Sequence, residues 1–331
     1  MEQLLAGLRA AGEPTRLRLL ALLARGELTV TELTQILRQS QPRVSRHLKL
    51  LCEAGLLERF REGSWVFYRL AGAGQVGELA AVLSGLIPHE DLVIARDLER
   101  LEAVRTARAE RAAAYFRANA EQWSRIRSLH VPEDKVEQAM VALGVPRGEL
   151  DFVADLGTGT GRMLELFGSR AKGGIGIDLS SEMLALARAQ LDRPELQHCS
   201  VRQGDLYDLP LQDESADLVT LHMVLHYLDD PATSIGEAAR VLKPGGRLLI
   251  ADFAPHELDF LRDSHAHRRL GFAESEVTGW LTEAGLKVSK ITTLPPEGGE
   301  DAKLTVLIWV ADKTGRAEAK PTRSIEFEGA R

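Results

Sequence analysis

Three aspartates each close a short apolar run, and their spacing suggests one ligand. Phe152-Val153-Ala154-Asp155-Leu156 runs directly into Gly157-Thr158-Gly159-Thr160-Gly161. Gly174-Ile175-Gly176-Ile177-Asp178 follows, its acid 23 residues after Asp155, and Val201-Arg202-Gln203-Gly204-Asp205 supplies the third. Glycines let a backbone approach a ligand closely at the top of a parallel strand, and an acid ending the next strand can take two hydrogen bonds from ribose hydroxyls. Asp205 suits an adenine amino group. A dinucleotide would place its pyrophosphate on the glycine turn, where Asp155 repels it. S-adenosylmethionine carries no phosphate, and its ammonium and sulfonium groups suit a carboxylate there. The helix start after the glycines, from Arg162 to Phe167, is left for the ligand's own carboxylate.

Groups able to act on an acceptor are fewer. His222 and His226 stand four apart at a strand-to-helix corner, and His265-Ala266-His267-Arg268-Arg269 forms a second cluster. His222, His226, His265 and His267 are therefore the catalytic candidates. The corner pair could equally pack against the ligand, and the cluster could be a solvated helix face or a basic patch. Methyl transfer requires chiefly an in-line nucleophile held about 3–3.5 Å from the methyl group, so a dedicated base is not obligatory. No metal site is expected, because the histidines lack nearby cysteines and the chain holds only Cys52 and Cys199. The stretch Leu221-His222-Met223-Val224-Leu225-His226-Tyr227 lacks the Asn/Asp-Pro-Pro-Tyr/Phe sequence of amino-methylating DNA enzymes. Two cysteines are also too few to hold arsenic for methylation.

The elements ahead of this pocket have a different purpose. Glu13-Pro14-Thr15 opens a helix through Arg25, and Thr29 or Thr31 caps another through Leu37. Ser40-Gln41-Pro42-Arg43 starts a third, with Pro42 tolerated in its first turn. Val44, Leu48 and Leu51 face its core together, leaving Arg43, Ser45, Arg46, His47 and Lys49 mostly off the stripe. The length and polarity fit a recognition helix presenting Gln41, Arg43, Ser45, Arg46, His47 and Lys49 to a major groove. Leu56 to Arg61 and Trp65 to Leu70 alternate at strand period around Glu62-Gly63-Ser64, which predicts a hairpin wing whose Arg59 and Arg61 can touch phosphates.

Gln41-Pro42-Arg43-Val44-Ser45-Arg46-His47-Leu48-Lys49-Leu50-Leu51, with Glu53-Ala54-Gly55-Leu56-Leu57 and Arg61 to Leu70, resembles the ArsR/SmtB family of winged-helix repressors. The resemblance spans residues 1–72 and implies a dimer on a double-stranded palindromic operator. The family often senses metal through cysteines on the helix before the recognition helix. Here that stretch is Thr31-Glu32-Leu33-Thr34-Gln35-Ile36, so another signal is needed. The later pattern, with Ala216-Asp217-Leu218-Val219-Thr220, Val241-Leu242-Lys243-Pro244-Gly245-Gly246 and the strand Arg247 to Ala251, resembles class I methyltransferases. The branch with ubiquinone- and menaquinone-type enzymes is most similar. This resemblance places the cofactor at Asp155, Gly157, Thr158, Gly159, Gly161, Asp178, Leu179, Asp205, Leu206 and His222. It implies an antiparallel terminal pair at Leu286–Thr293 and Lys303–Val310.

The expected architecture has two domains: a mainly α winged helix-turn-helix (1–72), then an α/β Rossmann-like, seven-stranded methyltransferase domain (151–311). Residues 73–150 read as a helical connector that dimerises, with i,i+4 charge pairs on a long helix, and 312–331 as a disordered tail. Residues 1–72 hold eleven Lys/Arg and seven Asp/Glu, a charge of +4, leaving −11 of the total −7 elsewhere. A basic head on an acidic body is expected if only the head meets phosphates. No membrane span or signal peptide is read, so a cytoplasmic location is expected. Two functions stay open: an ArsR-type transcriptional regulator sensing S-adenosylmethionine or S-adenosylhomocysteine and possessing or lacking turnover, or a working methyltransferase for phenol- or quinone-like acceptors with a regulatory head.

Overall fold

The computed structural model describes residues 1–62, 65–71, 74–88, 90–118, 131–144, 150–261, 267–296 and 304–314. Helix α1 (Glu2–Ala11) precedes the first element that the sequence predicts. It buries Gly7 and Ala11 and exposes Leu4, Leu5 and Leu8, so no stripe of large apolar residues on the buried side announces it. α2 (Pro14–Leu23) begins with Pro14, and the Glu13 carboxylate accepts from Arg16 N at 3.0 Å. After β1 (Leu28–Thr29), Thr29 caps α3 (Val30–Leu37) in a reciprocal box. Thr29 Oγ1 accepts from Glu32 N at 3.2 Å, and Glu32 Oε2 accepts from Thr29 N at 2.8 Å. α4 (Gln41–Glu53) buries Val44, Leu48 and Leu51, as their spacing predicts. β2 (Leu57–Glu62) and β3 (Trp65–Leu70) form the wing, and β1 pairs with β3 to make a three-stranded sheet.

α5 (Gly74–Leu86) and α6 (Leu92–Ala118) fall within the stretch expected to act as a connector. Their Ala80, Ile94, Leu101 and Val104 join the same core as α2–α4, so this portion is built into the helix-turn-helix unit. The charges on α6 do more than form i,i+4 pairs along a solvated face. Asp97, 1% exposed, accepts from Arg18 Nε at 2.6 Å and from Arg100 Nη1 at 3.2 Å. Arg108 reaches Glu32 at 2.7 Å. These pairs are one element's answer to another's burial, which a helical pattern on one segment does not display.

α7 (Glu133–Gly144) leads into the second sheet. Its strands are β4 (Leu150–Leu156), β5 (Ala171–Asp178), β6 (Cys199–Gln203), β7 (Ala216–His222), β8 (Leu242–Phe253), β9 (Leu286–Leu294) and β10 (Val306–Lys313). The order is β6-β5-β4-β7-β8-β10-β9, parallel except for β10, which runs antiparallel to both β8 and β9. α8 (Arg162–Gly168), α9 (Ser181–Leu191), α10 (Pro231–Val241) and α11 (Glu274–Glu283) complete the unit. α10 and α11 pack their Ile235, Val277 and Leu281 on one face of the sheet, while Met140 of α7 and Phe167 of α8 enter the core on the other. Strand order reverses between β4 and β7, and such a switch point opens a crevice above the strands' C-terminal ends. β10 extends to Lys313, and Asp312 pairs with Arg247 at 2.7 Å, so the sheet takes the first two residues of the expected tail. Residues 315–331 lie outside the described residues. Among the described residues no helix is long and apolar enough to cross a membrane.

Candidate functional site

A cleft of about 670 Å³ opens at that switch point, in the size range of small-molecule sites. Asp155 forms its floor at 1% exposure. Its Oδ2 accepts from Thr158 Oγ1 and its Oδ1 from Thr220 Oγ1, both at 2.6 Å. Burial pushes the carboxyl up to about 6, with the Asp178 charge adding to the effect and the two threonine hydroxyls opposing it. The glycine turn is fixed by geometry that side chains resist. Gly157 has φ 72°, and a Cβ there would sit 2.3 Å from Val224. Gly159, at φ 52°, faces open space: a Cβ would meet nothing within 4 Å. Asp178 Oδ2 accepts from Gly159 N at 2.8 Å and its Oδ1 from Ser180 N at 2.9 Å, tying the turn to the start of α9. Asp205 stands exposed at the rim, accepting from Tyr207 N at 3.0 Å. Thr158, Leu179, Leu206 and His222 also line the cleft, whereas Gly161 turns against Ala187 of α9.

One wall is aromatic. His226 lies 4.2 Å from Tyr227, 4.2 Å from His267 and 5.1 Å from Phe253, ring to ring. His226 Nδ1 is 2.8 Å from Asp252 Oδ1, and both side chains are buried. Of the histidine candidates, His222, His226 and His267 therefore meet in one cleft, and His265 lies outside the described residues. Asp252 did not figure in the sequence expectations, although Leu249-Ile250-Ala251-Asp252 repeats the apolar-run-then-acid signal of the other three aspartates.

The helix-turn-helix presents a separate surface. Gln41, Arg43, Arg46 and Lys49 are exposed on α4, Ser45 is half-buried, and Arg59 and Arg61 are exposed on the wing. His47 is turned inward against Glu13 at 3.5 Å, and burial holds its imidazole below the usual value. His47 is half-buried, between the apolar stripe and the solvent face of α4.

A family profile described as a methyltransferase domain matches residues 154–250, and one described as bacterial regulatory protein, arsR family, matches residues 13–59. The chain joins an ArsR-family helix-turn-helix domain to a class I methyltransferase domain. Its first part is 52% identical over 63 residues to the arsenic resistance transcriptional regulator ArsR1 of Pseudomonas putida, covering 19% of this chain and 49% of that protein. Its second part is 34% identical over 155 residues to an uncharacterized methyltransferase of Schizosaccharomyces pombe, covering 40% and 56% of the two. It is also 31% identical over 137 residues to the demethylmenaquinone methyltransferase of Clavibacter sepedonicus, covering 40% and 54%. The chain spans about half or less of the length of the curated relatives it matches. Among solved structures, a Haloferax volcanii complex of the Trm112 methyltransferase activator with a methyltransferase shares the fold, with TM-score 0.50 and 24% identity over 61% of this chain and 97% of that one.

The methyltransferase fold implies S-adenosylmethionine, and the cleft fits it: a buried carboxyl held above its ordinary range calls for a cation, and Gly159 leaves open space on the turn. The ArsR-type domain is fastened to this unit through its wing. Phe60 and Phe67 pair across β2 and β3 with rings 5.5 Å apart and 8° from parallel. Arg202 of β6 lies 3.6 Å over Phe60, and Arg188 of α9 lies 3.9 Å over Phe67. Both guanidiniums meet Glu27, at 2.5 Å and 3.7 Å, and Arg105 of α6 meets Asp192 at 2.9 Å. Arg59 and Arg61 alternate to the opposite face of the wing from Phe60.

Proposed function

We propose that the chain is an ArsR-type DNA-binding transcriptional regulator whose methyltransferase domain binds S-adenosylmethionine or S-adenosylhomocysteine and relays occupancy to the wing. One observation carries this reading: the elements that hold the ligand acids also hold the wing. Asp178 precedes α9 and Asp205 follows β6, while Arg188 and Arg202 of the same two elements clamp Glu27, Phe60 and Phe67. A shift of α9 or β6 on ligand entry moves the wing against α4.

In the ligand site, Asp155 faces the ammonium and Gly157, Thr158, Gly159 and Gly161 shape the turn. Asp178 holds the ribose, Leu179, Asp205 and Leu206 flank the adenine, and His222 closes the inner end. On DNA, Gln41, Arg43, Ser45, Arg46 and Lys49 meet the major groove, and Arg59 and Arg61 meet phosphates. Two copies bind a palindrome, supported by the exposed Leu4, Leu5 and Leu8 of α1 and Val82 and Leu86 of α5, an apolar set suited to a second chain.

Operator affinity at fixed salt, with and without each adenosyl ligand, tests the relay. A change of roughly 5–150-fold is expected with two chains per palindrome. Equal affinity in all three states overturns the sensor reading. Glu27→Gln should shrink the change below about twofold while leaving ligand affinity intact, because coupling needs the clamp and ligand binding does not. A second reading, a working methyltransferase with a regulatory head, is favoured by the buried His226–Asp252 pair at the cleft wall.

A further inference from the structure

We infer that His226 is the general base of a methyl-transfer site for an aromatic hydroxyl, with Asp252 as its positioning residue. This rests on the reading of the cleft as an adenosyl-ligand site. Parallel pairing sets the level: Leu156 pairs with Leu221, and His222 pairs with Ala251. Asp155, His222 and Asp252 thus stand at the same end of three adjacent strands. Asp252 is fully buried and its oxygens accept from three directions. Oδ1 accepts from Phe253 N at 2.8 Å and faces His226 Nδ1 at 2.8 Å, while Oδ2 accepts from His226 N at 3.3 Å.

A carboxylate only accepts, so Nδ1 carries the proton. In the neutral imidazole Nε2 is then the bare nitrogen. Nε2 has no protein partner among the described residues, and the residue lines the cleft. The His226 backbone is anchored, its carbonyl accepting from Arg268 N at 2.8 Å and Arg269 N at 3.2 Å, and the ring is held at Nδ1 by Asp252. Tyr227, Phe253 and His267 give the same wall flat apolar faces, on which an aromatic acceptor stacks. Charged and titratable groups near Nε2 are Asp252, Tyr227, His267, Arg268, His222 and Asp155. Of these, Asp252 meets the ring directly, at Nδ1.

S-adenosylmethionine supplies the methyl when bound: the acceptor oxygen's lone pair forms the O–C bond as the S–C bond breaks, its electron pair staying on sulfur. His226 Nε2 takes the hydroxyl proton and later releases it to water. Asp252 holds the tautomer before transfer and stabilises the imidazolium after it.

The test uses the full chain saturated with S-adenosylhomocysteine, whose binding is first measured by calorimetry. Absence of binding there overturns the adenosyl reading, a failure distinct from any failure of His226 as the base. Nitrogen-resolved imidazole spectra should show His226 with Nδ1–H and bare Nε2, and Asp252→Asn, whose amide can also donate, should lose that tautomer preference. An Nε2–H tautomer in the wild type, or an unchanged tautomer preference in Asp252→Asn, overturns the inference. With 4-nitrophenol added, the phenolate absorption band should appear at a pH below that of the free phenol and vanish in His226→Phe, which keeps the ring packing and leaves Asp252 in place. No band in the wild type, or its persistence in His226→Phe, overturns the inference. With S-adenosylmethionine and the same phenol, product release in His226→Phe should fall on the order of 10²–10⁴-fold.

Discussion

Asp155→Asn separates what the cleft needs from what the fold prefers. The Asp155 carboxyl is raised from 3.8 to about 6 by burial. A group raised in the folded state contributes stability that is fully present below its unfolded pKa and lost as pH rises through its folded one. The window is therefore about pH 3.8 to 6, and above it the ionised carboxylate costs the folded chain on the order of 3 kcal/mol, from about two units at 1.4 kcal/mol each. Asn keeps the volume, accepts from one of Thr158 and Thr220 and donates to the other's hydroxyl oxygen. Urea unfolding of both chains, followed by tryptophan fluorescence with Trp309 fully buried in β10, should give nearly equal stabilities at pH 4. At pH 7.5 the variant should be more stable by about 2–3 kcal/mol. S-adenosylhomocysteine at a hundredfold excess over its Kd should add about 2.7 kcal/mol to the wild type and almost nothing to the variant. A stability difference that stays flat from pH 4 to 7.5, or equal stabilisation of both chains by the ligand, refutes the assignment of this carboxylate to a cationic group.

Arg46→Ala should lower operator affinity roughly 5- to 150-fold, from about 1–3 kcal/mol of lost base contact, with adenosyl-ligand affinity unchanged; titrations on operator and scrambled DNA at one salt concentration check both. Asp97→Ala leaves Arg18 and Arg100 without their buried carboxylate and should destabilise the ArsR-type domain by about 3–5 kcal/mol, read as a lower urea midpoint with the methyltransferase cleft still binding ligand.

The sequence determined whatever is encoded within a few residues. Val44, Leu48 and Leu51 revealed α4, while the cap of α3, open between Thr29 and Thr31 in the sequence, falls to Thr29 through its box with Glu32. The acids closing β4 and β5, with the glycine turn between them, located the cleft because strand ends and tight turns are local chemistry. α1 escaped because its buried face is Gly7 and Ala11, whose small side chains carry no periodic signal. Only the tertiary structure decided which charges face each other. Glu27 meets Arg188 and Arg202 across two domains, Asp252 meets His226 across a strand crossover, and Asp97 is buried on a helix whose pattern read as i,i+4 charge pairs. A buried charge takes its partner from whatever element packs against it, so sequence distance carries no information about the pair. The cleft of the methyltransferase domain and the helix-turn-helix were legible separately. The clamp that joins them exists only where α9 and β6 close on the wing.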